Sequence, residues 1–172
     1  GVSLNDLVQN PKSRPIEHAT VAVRTEVIQR YGATANIIGV VEGTDPKLKD
    51  EYIVIGAHMD HLGWGLQGGS MYTGKLPAIH YGADDNASGT AVVLALSQYF
   101  AAHPQKPSLI FMAFSGEELG LLGSAHYTNH PIIPLEKTVA MLNMDMIGRL
   151  REDKLSVSGV DTSPVWRTLL QE

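Results

Sequence analysis

Several residues that could bind a metal ion stand directly after apolar segments of the chain. In chain order they are His58, Asp60, His61, Glu117, Glu118 and Asp145. Imidazole nitrogen and carboxylate oxygen suit zinc, and a carboxylate can bridge two metal ions. The chain contains no cysteine, which excludes Cys-zinc sites, disulfides and thiol catalysis. The residue types therefore indicate a metal centre built from histidine and carboxylates.

The elements that carry these residues must bring them to one place. Buried strands alternate with helices along the chain, which predicts an α/β fold with a mostly parallel central sheet. The carboxyl ends of parallel strands share one edge of a sheet, where ligands bind. Asp84 and Asp85 open a helix, whose N-terminus favours a carboxylate. We therefore expect at least one imidazole and several carboxylates in one crevice, where a bound cation would relieve their repulsion.

Hydrophobic periodicity predicts the individual elements. A strand that alternates over 20–29 is expected to form an antiparallel edge hairpin with the next strand. The predicted elements, in chain order, are strands at 20–29, 36–42, 52–55, 109–114, 139–144 and 154–158, helices at 89–103, 119–129 and 164–171, and a long loop at 62–81. The strands at 52–55, 109–114 and 139–144 are continuous apolar runs, which is typical of strands covered on both faces.

The composition fits one globular domain and excludes several other classes. The 172 residues are 44% apolar and 18% charged, unlike a disordered chain. The formal charge of −5 supplies no basic stripe for nucleic acid, and no apolar run is long enough to span a membrane. We interpret residues 1–18, with their prolines, as a lead-in or linker, and residues 19–172 as the domain.

Two pairs of residues that are close in sequence suggest separate roles at the metal. Successive residues in a turn point in different directions, so one carboxylate of Glu117 and Glu118 can bind metal while the other takes a proton from metal-bound water. Asp60 is close enough in sequence to hydrogen-bond the second ring nitrogen of His58 and fix its tautomer. His61 and His80 border the expected crevice, where they could meet substrate or position the loop. The remaining histidines are interpreted as surface residues: His18, His103, His126 and His130.

Four segments in this order resemble the successive signatures of the M28 zinc aminopeptidases. They are Gly56-Ala-His-Met-Asp60, Gly82-Ala-Asp-Asp-Asn-Ala-Ser-Gly89, Ser115-Gly-Glu-Glu-Leu-Gly120 and Asn143-Met-Asp-Met-Ile-Gly148. The resemblance runs from about residue 51 to 148. It implies a three-layer sandwich of the zinc-exopeptidase (phosphorylase/hydrolase-like) architecture, and it makes 19–172 part of a zinc-peptidase catalytic domain.

The resemblance also implies a role for each residue of the centre. His58 and Asp145 would hold one zinc ion, Asp85 would bridge, and Glu118 would belong to a second zinc ion. Glu117 would be the general base that acts on a zinc-activated water, and Asp60 the partner of His58. Asp84 would be a neighbour and not a ligand. The implied function is hydrolysis of N-terminal residues from peptides by a metal-dependent exopeptidase.

The resemblance has one gap, because the family's second zinc takes a histidine from a strand well downstream of Asp145. The chain ends at Glu172, so the domain looks truncated at its C-terminus. We expect two zinc ions per intact domain, but at most about one held tightly by this chain. With the second zinc position incomplete, we expect the 172-residue chain to be weakly active or inactive. Uncovered apolar surface would favour self-association.

Other functions on the same scaffold remain open at this stage. They are a glutaminyl-cyclase-like transferase with a single zinc ion, a carboxypeptidase, and an interaction domain without catalysis. The presence of both His58 and Asp145 favours two metal ions and hydrolysis. The resemblance and the absence of cysteine favour an extracytoplasmic location: secreted, periplasmic or anchored to the cell envelope.

Overall fold

The structure is a computed structural model that describes residues 8–9, 20, 22–28, 31–66 and 69–171. The chain divides into two compact units, Gly1–Gly32 and Ala33–Glu172, and all the elements named below belong to the second. The predicted lead-in at 1–18 lies outside the described residues apart from residues 8 and 9, so it stays a prediction.

A four-stranded sheet forms the centre of the second unit. Its strands are β1 (Ile37–Val41), β2 (Tyr52–His58), β3 (Ser108–Phe114) and β4 (Thr138–Asn143). The order across the sheet is β1-β3-β2-β4. Strand β2 runs parallel to both β3 and β4, whereas β1 pairs antiparallel with β3. The mostly parallel sheet is confirmed, and the carboxyl ends of its three parallel strands share one edge.

Helices α1 (Ala87–Ala102) and α2 (Leu122–Asn129) pack on opposite faces of this sheet and make three layers. A short helix α3 (Pro164–Leu169) lies against a 3-10 turn at Val160–Thr162, and another 3-10 turn spans Leu135–Lys137. Successive strand residues point to opposite faces. Leu109 and Phe111 therefore meet Val93 of α1 on one face, while Ile110 and Met112 meet Tyr127 of α2 on the other.

Two of the predicted strands are wrong. Residues 20 and 22–28 contain no strand, and β1 pairs with β3 instead of forming a hairpin with the preceding segment. Val23 and Val27 are exposed, so their alternation with polar residues does not reflect a buried face. Residues 155–159 are also irregular, with only an isolated bridge between Arg151 and Lys154. An apolar alternation forms a strand only where a partner strand is available.

Strand β4 forms where the sequence predicts it, but the prediction that it is buried is wrong. Val139, Met141 and Leu142 are 55%, 45% and 49% exposed. The strand lies at the end of the sheet and pairs with β2 on one side. The composition of a segment indicates its preference for the strand conformation, whereas its burial depends on what packs against it.

The predicted helices are present with shifted ends. Helix α1 begins at Ala87 because the Asn86 side chain caps it, accepting the N–H of Gly89. Helix α2 begins at Leu122 and not at 119, because the N–H groups of Gly120 and Leu121 bond to the carbonyl of Glu117 in a turn. The long loop is confirmed for residues 62–66 and 69–81, which contain neither helix nor strand. Among the described residues, no helix is both long enough and apolar enough to cross a membrane.

Candidate metal centre

The predicted site residues lie together at the carboxyl edge of the sheet. His58 is the last residue of β2, the two glutamates follow β3, and Asp145 follows β4. Asp85 stands just before α1, beside the same edge. The donor atoms form two groups that share one residue: His58, Asp85 and Asp145, and His61, Asp85 and Glu118, with the atoms of each group within 4.8 Å of one another.

The first group has the spacing that a zinc ion requires. The Nε2 atom of His58 lies 3.2 Å from Oδ1 of Asp85 and 3.4 Å from Oδ1 of Asp145. A tetrahedral zinc ion with bonds of about 2.0–2.1 Å holds its ligand atoms about 3.3 Å apart. His58 is only 4% exposed, so its ring is held in place by packing. The residues present therefore fit a zinc ion.

The ring of His58 is oriented by the main chain of Asp60. Its Nδ1 atom lies 3.1 Å from the Asp60 carbonyl oxygen, but 3.8 Å from the Asp60 carboxylate. A carbonyl can only accept, so Nδ1 carries the hydrogen and donates it, which leaves the Nε2 lone pair for a metal. The sequence predicts Asp60 as the partner of His58. The hydrogen bond runs through its main-chain carbonyl, while its carboxylate accepts two backbone N–H groups of the turn after β3.

The Asp60 carboxylate fixes the turn that carries the two glutamates. It accepts the backbone N–H of Glu117 through Oδ1 at 3.1 Å and that of Glu118 through Oδ2 at 3.3 Å. Gly116, at φ +69°, supplies the left-handed residue that starts this turn. The side chains of the two glutamates are consequently presented side by side at the end of β3.

Asn86 ties the segments before α1 and after β4 together, a role that sequence reasoning missed. It is 1% exposed, donates to the Met144 carbonyl at 2.9 Å, and accepts the N–H groups of Gly89 and Met146 at 3.0 and 3.3 Å. Asp85 precedes Asn86, and Asp145 lies between the two methionines. This one amide therefore sets the separation of two carboxylates of the first group. An asparagine at a helix N-cap beside such carboxylates was the available signal.

Asp84 belongs to neither of the two donor groups. Its carboxylate accepts the N–H of Gly148 at 2.8 Å and the Nε–H of Arg149 at 2.6 Å. The hydrogen bond from the Arg149 guanidinium lowers the pKa of Asp84 below its usual range. Its role is to fasten the segment after Asp145 to the start of α1.

Glu117 stands beside the first donor group without belonging to it. Its Oε2 atom lies 3.9 Å from Nε2 of His58. Burial raises the pKa of Glu117, and the carboxylates of Glu118, Asp145 and Asp60 raise it further, while the imidazole of His58 opposes them. A carboxylate with a raised pKa is a stronger base than an exposed one.

His61 belongs to the second donor group, which sequence reasoning did not anticipate. Its Nδ1 atom lies 2.6 Å from Oε1 of Glu118 and 3.9 Å from Oδ1 of Asp85. The available signal was its position three residues after His58, just beyond the end of β2.

The other histidines lie apart from both donor groups. The ring nitrogens of His80 lie 2.7 Å from the Ser70 hydroxyl and 3.2 Å from the Gly63 carbonyl, so this residue positions the loop. His103, His126 and His130 are exposed, as expected, and His18 lies outside the described residues.

Comparison with known proteins finds a peptidase family and two aminopeptidases. The profile of peptidase family M28 matches residues 36–172. The chain is similar to Aminopeptidase YwaD of Bacillus subtilis (strain 168), at 38% identity over 92 residues, 51% of this chain and 20% of that protein. It is also similar to Leucine aminopeptidase 1 of Trichophyton rubrum, at 32% identity over 152 residues, 78% of this chain and 37% of that protein.

A solved structure supports the same grouping. BSAP, a zinc aminopeptidase from Bacillus subtilis, superimposes with a TM-score of 0.57 at 30% identity, over 79% of this chain and 31% of that one. The chain therefore spans between 20% and 37% of the length of these relatives.

Proposed function

The chain belongs to peptidase family M28, and from that premise we propose that it carries the metal centre of an exopeptidase that removes N-terminal residues from peptides. The observation that carries the proposal is the position of Asp85, which is common to both donor groups. A shared carboxylate suits two metal ions, and a two-metal centre is one of the arrangements used for aminopeptidase chemistry. The names of the relatives support the same reaction.

The proposed reaction divides the work among the residues of the centre. His58, Asp85 and Asp145 would hold a zinc ion, which supplies a Lewis acid when bound. The carboxylate of Glu117 takes a proton from the attacking water and delivers it to the leaving amine, so that this residue acts first as base and then as acid. Asp60 holds the backbone of Glu117 in place during both transfers.

The charge of the crevice supports recognition of a peptide amino terminus. The cavity next to Glu118 is about 190 Å³ and is lined by Asp60 and His61 among others, with no lysine or arginine among its described lining residues. Arg149, the nearby cation, is paired with Asp84. A carboxypeptidase needs a cation for the terminal carboxylate of its substrate, whereas a carboxylate-rich crevice attracts the terminal ammonium group.

We further propose that the exposed edge of β4 makes this chain associate with itself. Val139, Met141 and Leu142 present apolar surface there, and an unpaired strand edge can accept another strand. Analytical ultracentrifugation of the chain, together with Met141→Lys, tests this. We expect oligomers that the lysine reduces, and a monomer at all concentrations would contradict the proposal.

The activity is tested with three kinds of substrate given to the intact parent protein reconstituted with zinc. We expect hydrolysis of amino-acid anilides, no hydrolysis of peptides blocked at the amino terminus, and no cyclisation of peptides that begin with glutamine. Release of C-terminal residues from blocked peptides would favour a carboxypeptidase, and cyclisation would favour the transferase. Loss of hydrolysis with a chelator and its return with zinc would complete the assignment.

A further inference from the structure

We propose that Asn36 is a positioning residue for the reaction: it holds both ends of the turn that carries Glu117 and so keeps that carboxylate at the metal centre. The inference rests on the function proposed above, because it names a support for the proposed base. Neither donor group includes a residue from the segment before β1. Asn36 therefore acts on the turn and not as a member of the metal centre.

The direction of β1 explains why Asn36 reaches the carboxyl edge of the sheet. Strand β1 pairs antiparallel with β3, and Ile37 lies opposite Ala113 at one end of the ladder. Because the two strands run in opposite directions, the segment before β1 meets the segment that follows β3. The three parallel strands bring only the segments after them to this edge. An antiparallel neighbour of β3 thus adds a residue that the parallel strands cannot supply.

The side-chain amide of Asn36 bonds to both ends of the turn. Its Oδ1 accepts the backbone N–H of Ser115 at 3.1 Å, and its Nδ2 donates to the carbonyl of Gly123 at 2.8 Å. A backbone N–H can only donate and a carbonyl can only accept, so these partners fix which way the amide faces. Ser115 follows β3 directly, and Gly123 is the second residue of α2. One planar group therefore sets the separation of the two elements that the turn connects.

The packing at this junction is close. A Cβ atom at residue 123 would clash with Oδ1 of Asn36 and with the carbonyl of Ser115, and would lie 2.8 Å from the Ser115 nitrogen. Thr34 adds a second bond from the same segment, since its hydroxyl lies 2.6 Å from the hydroxyl of Ser115. Ser115 is only 7% exposed. The segment before β1 is thus packed against the base of the turn.

Asp60 and Asn36 hold different parts of the turn. The carboxylate of Asp60 accepts the N–H groups of Glu117 and Glu118 in its middle, whereas Asn36 holds its ends. Leu121, where the turn meets α2, has a left-handed backbone at φ 60°. A residue other than glycine keeps this conformation only where the surrounding structure imposes it. The bonds of Asn36 on both sides supply that constraint.

The position of Glu117 leaves little tolerance for movement of the turn. Its Oε2 atom lies 3.9 Å from Nε2 of His58. A general base acts within about 2.6–3.2 Å of the atom whose proton it takes, and a misplacement of about 1 Å can cost roughly 100-fold in rate. Loss of both Asn36 bonds should therefore lower the rate of the chemical step and leave the metal ligands in place.

Steady-state kinetics of Asn36→Ala in the intact parent protein, reconstituted with zinc, tests the inference. We expect kcat on an amino-acid anilide to fall roughly 10–100-fold, with KM and zinc content unchanged. Asn36→Asp is the nearly isosteric second variant for the case that the alanine variant does not fold. Its carboxylate still accepts the N–H of Ser115 but has no N–H to donate to Gly123, so kcat should fall here too. An unchanged kcat in the folded variant, or zinc lost in parallel with kcat, would overturn the inference.

Ser108→Ala is the matched control at the opposite end of β3. The Ser108 hydroxyl accepts the N–H of Gly43 at 2.9 Å and donates to the carbonyl of Lys49 at 2.6 Å. The residue is 1% exposed, so its loss should also destabilise the fold. We expect kcat to stay unchanged, because the turn is not touched. An equal fall of kcat in both variants would overturn the inference in favour of a general loss of stability.

The double variant Asn36→Ala with Glu117→Gln separates positioning from a merely structural role. If Asn36 acts through the Glu117 carboxylate, its substitution should lower kcat little further once that carboxylate is gone. Independent losses that multiply would overturn the inference.

Amide hydrogen exchange tests the same contact without peptidase activity. We expect the N–H groups of Glu117 and Glu118 to exchange faster in Asn36→Ala, but not in Ser108→Ala, because the turn opens more often once its ends are released. Unchanged exchange and unchanged kcat in folded Asn36→Ala would overturn this inference and leave the proposed function standing. A zinc-loaded parent protein that hydrolyses no anilide would contradict the proposed function, whereas faster exchange in Asn36→Ala would still support the anchoring of the turn.

Discussion

The carboxylate of Asp60 accepts the backbone N–H of Glu117 at 3.1 Å, across 57 positions of the chain. This bond joins the segment after β2 to the turn after β3, and the second carboxylate oxygen extends it to Glu118. The carbonyl of the same residue orients His58. One residue thus positions a ligand through its main chain and the proposed base through its side chain, and substitution can separate the two tasks.

We expect Asp60→Asn to impair catalysis more than binding of the first zinc ion. An amide keeps one acceptor but turns an N–H₂ group toward the other backbone N–H, so the turn loses one of its two bonds. Loss of an indirect partner of this kind costs roughly 10–100-fold. The main-chain bond to His58 persists, so zinc titration should show the His58 site nearly unchanged. Loss of that site as complete as in His58→Ala would contradict this division.

Gly89→Ala is expected to destabilise the protein, although glycine to alanine within a helix normally stabilises by roughly 0.5–1 kcal/mol. A Cβ atom at this position would be 2.5 Å from the Met144 carbonyl and 2.5 Å from Oδ1 of Asn86. Overpacking against backbone costs roughly 1–3 kcal/mol. Urea unfolding shows whether the free energy of unfolding falls or rises, with Gln98→Ala on the exposed side of α1 as the control. A stabilised Gly89→Ala would show that the helix and the Met144 segment are not in contact.

Tyr127→Phe is expected to stabilise the fold. The Tyr127 ring is 6% exposed, and its hydroxyl has no hydrogen-bond partner among the described residues. Removing such a buried, unpaired group should raise the free energy of unfolding by about 1 kcal/mol. Tyr99→Phe, at an exposed position, is the control, and urea unfolding at pH 7 makes the comparison. A loss of stability in Tyr127→Phe would show that the hydroxyl is bonded.

The same variant predicts a change in pH dependence. Burial raises the pKa of the Tyr127 hydroxyl above the usual value for tyrosine, so at high pH the unfolded chain loses this proton first. The contribution to stability is therefore complete below about pH 10 and falls as the pH rises through and above that value. Tyr127→Phe lacks this loss, so its advantage over the unsubstituted protein should widen above about pH 10. A constant difference between pH 8 and 11 would contradict the assignment.

The sequence predicts the site better than it predicts the edges of the fold. The chemistry-bearing residues follow the ends of β2, β3 and β4, and parallel pairing forces those ends together. That topological rule needs no knowledge of side-chain contacts. The strands predicted at 20–29 and 154–158 fail because their alternation has no partner strand to satisfy it.

What the sequence could not supply is the direction of individual side chains. His61 and His80 look equivalent as loop histidines, yet only His61 meets two carboxylates while His80 is bonded within the loop. Asp60 is near His58 in sequence, but its carboxylate turns toward a segment 57 positions away. Both outcomes depend on loop geometry and on glycines that admit a ring or a turn, and hydrophobic periodicity carries no such information.

In the proposed mechanism Glu117 moves the proton while the other residues hold the metal. The most direct test of this division is Glu117→Gln in the intact parent protein reconstituted with zinc, measured as metal content and as kcat/KM on an amino-acid anilide. We expect unchanged zinc content, because Glu117 belongs to neither donor group, and a loss of kcat/KM of roughly 10²–10⁴-fold, because the amide cannot accept the proton. Loss of zinc together with activity, or full activity in Glu117→Gln, would contradict the account.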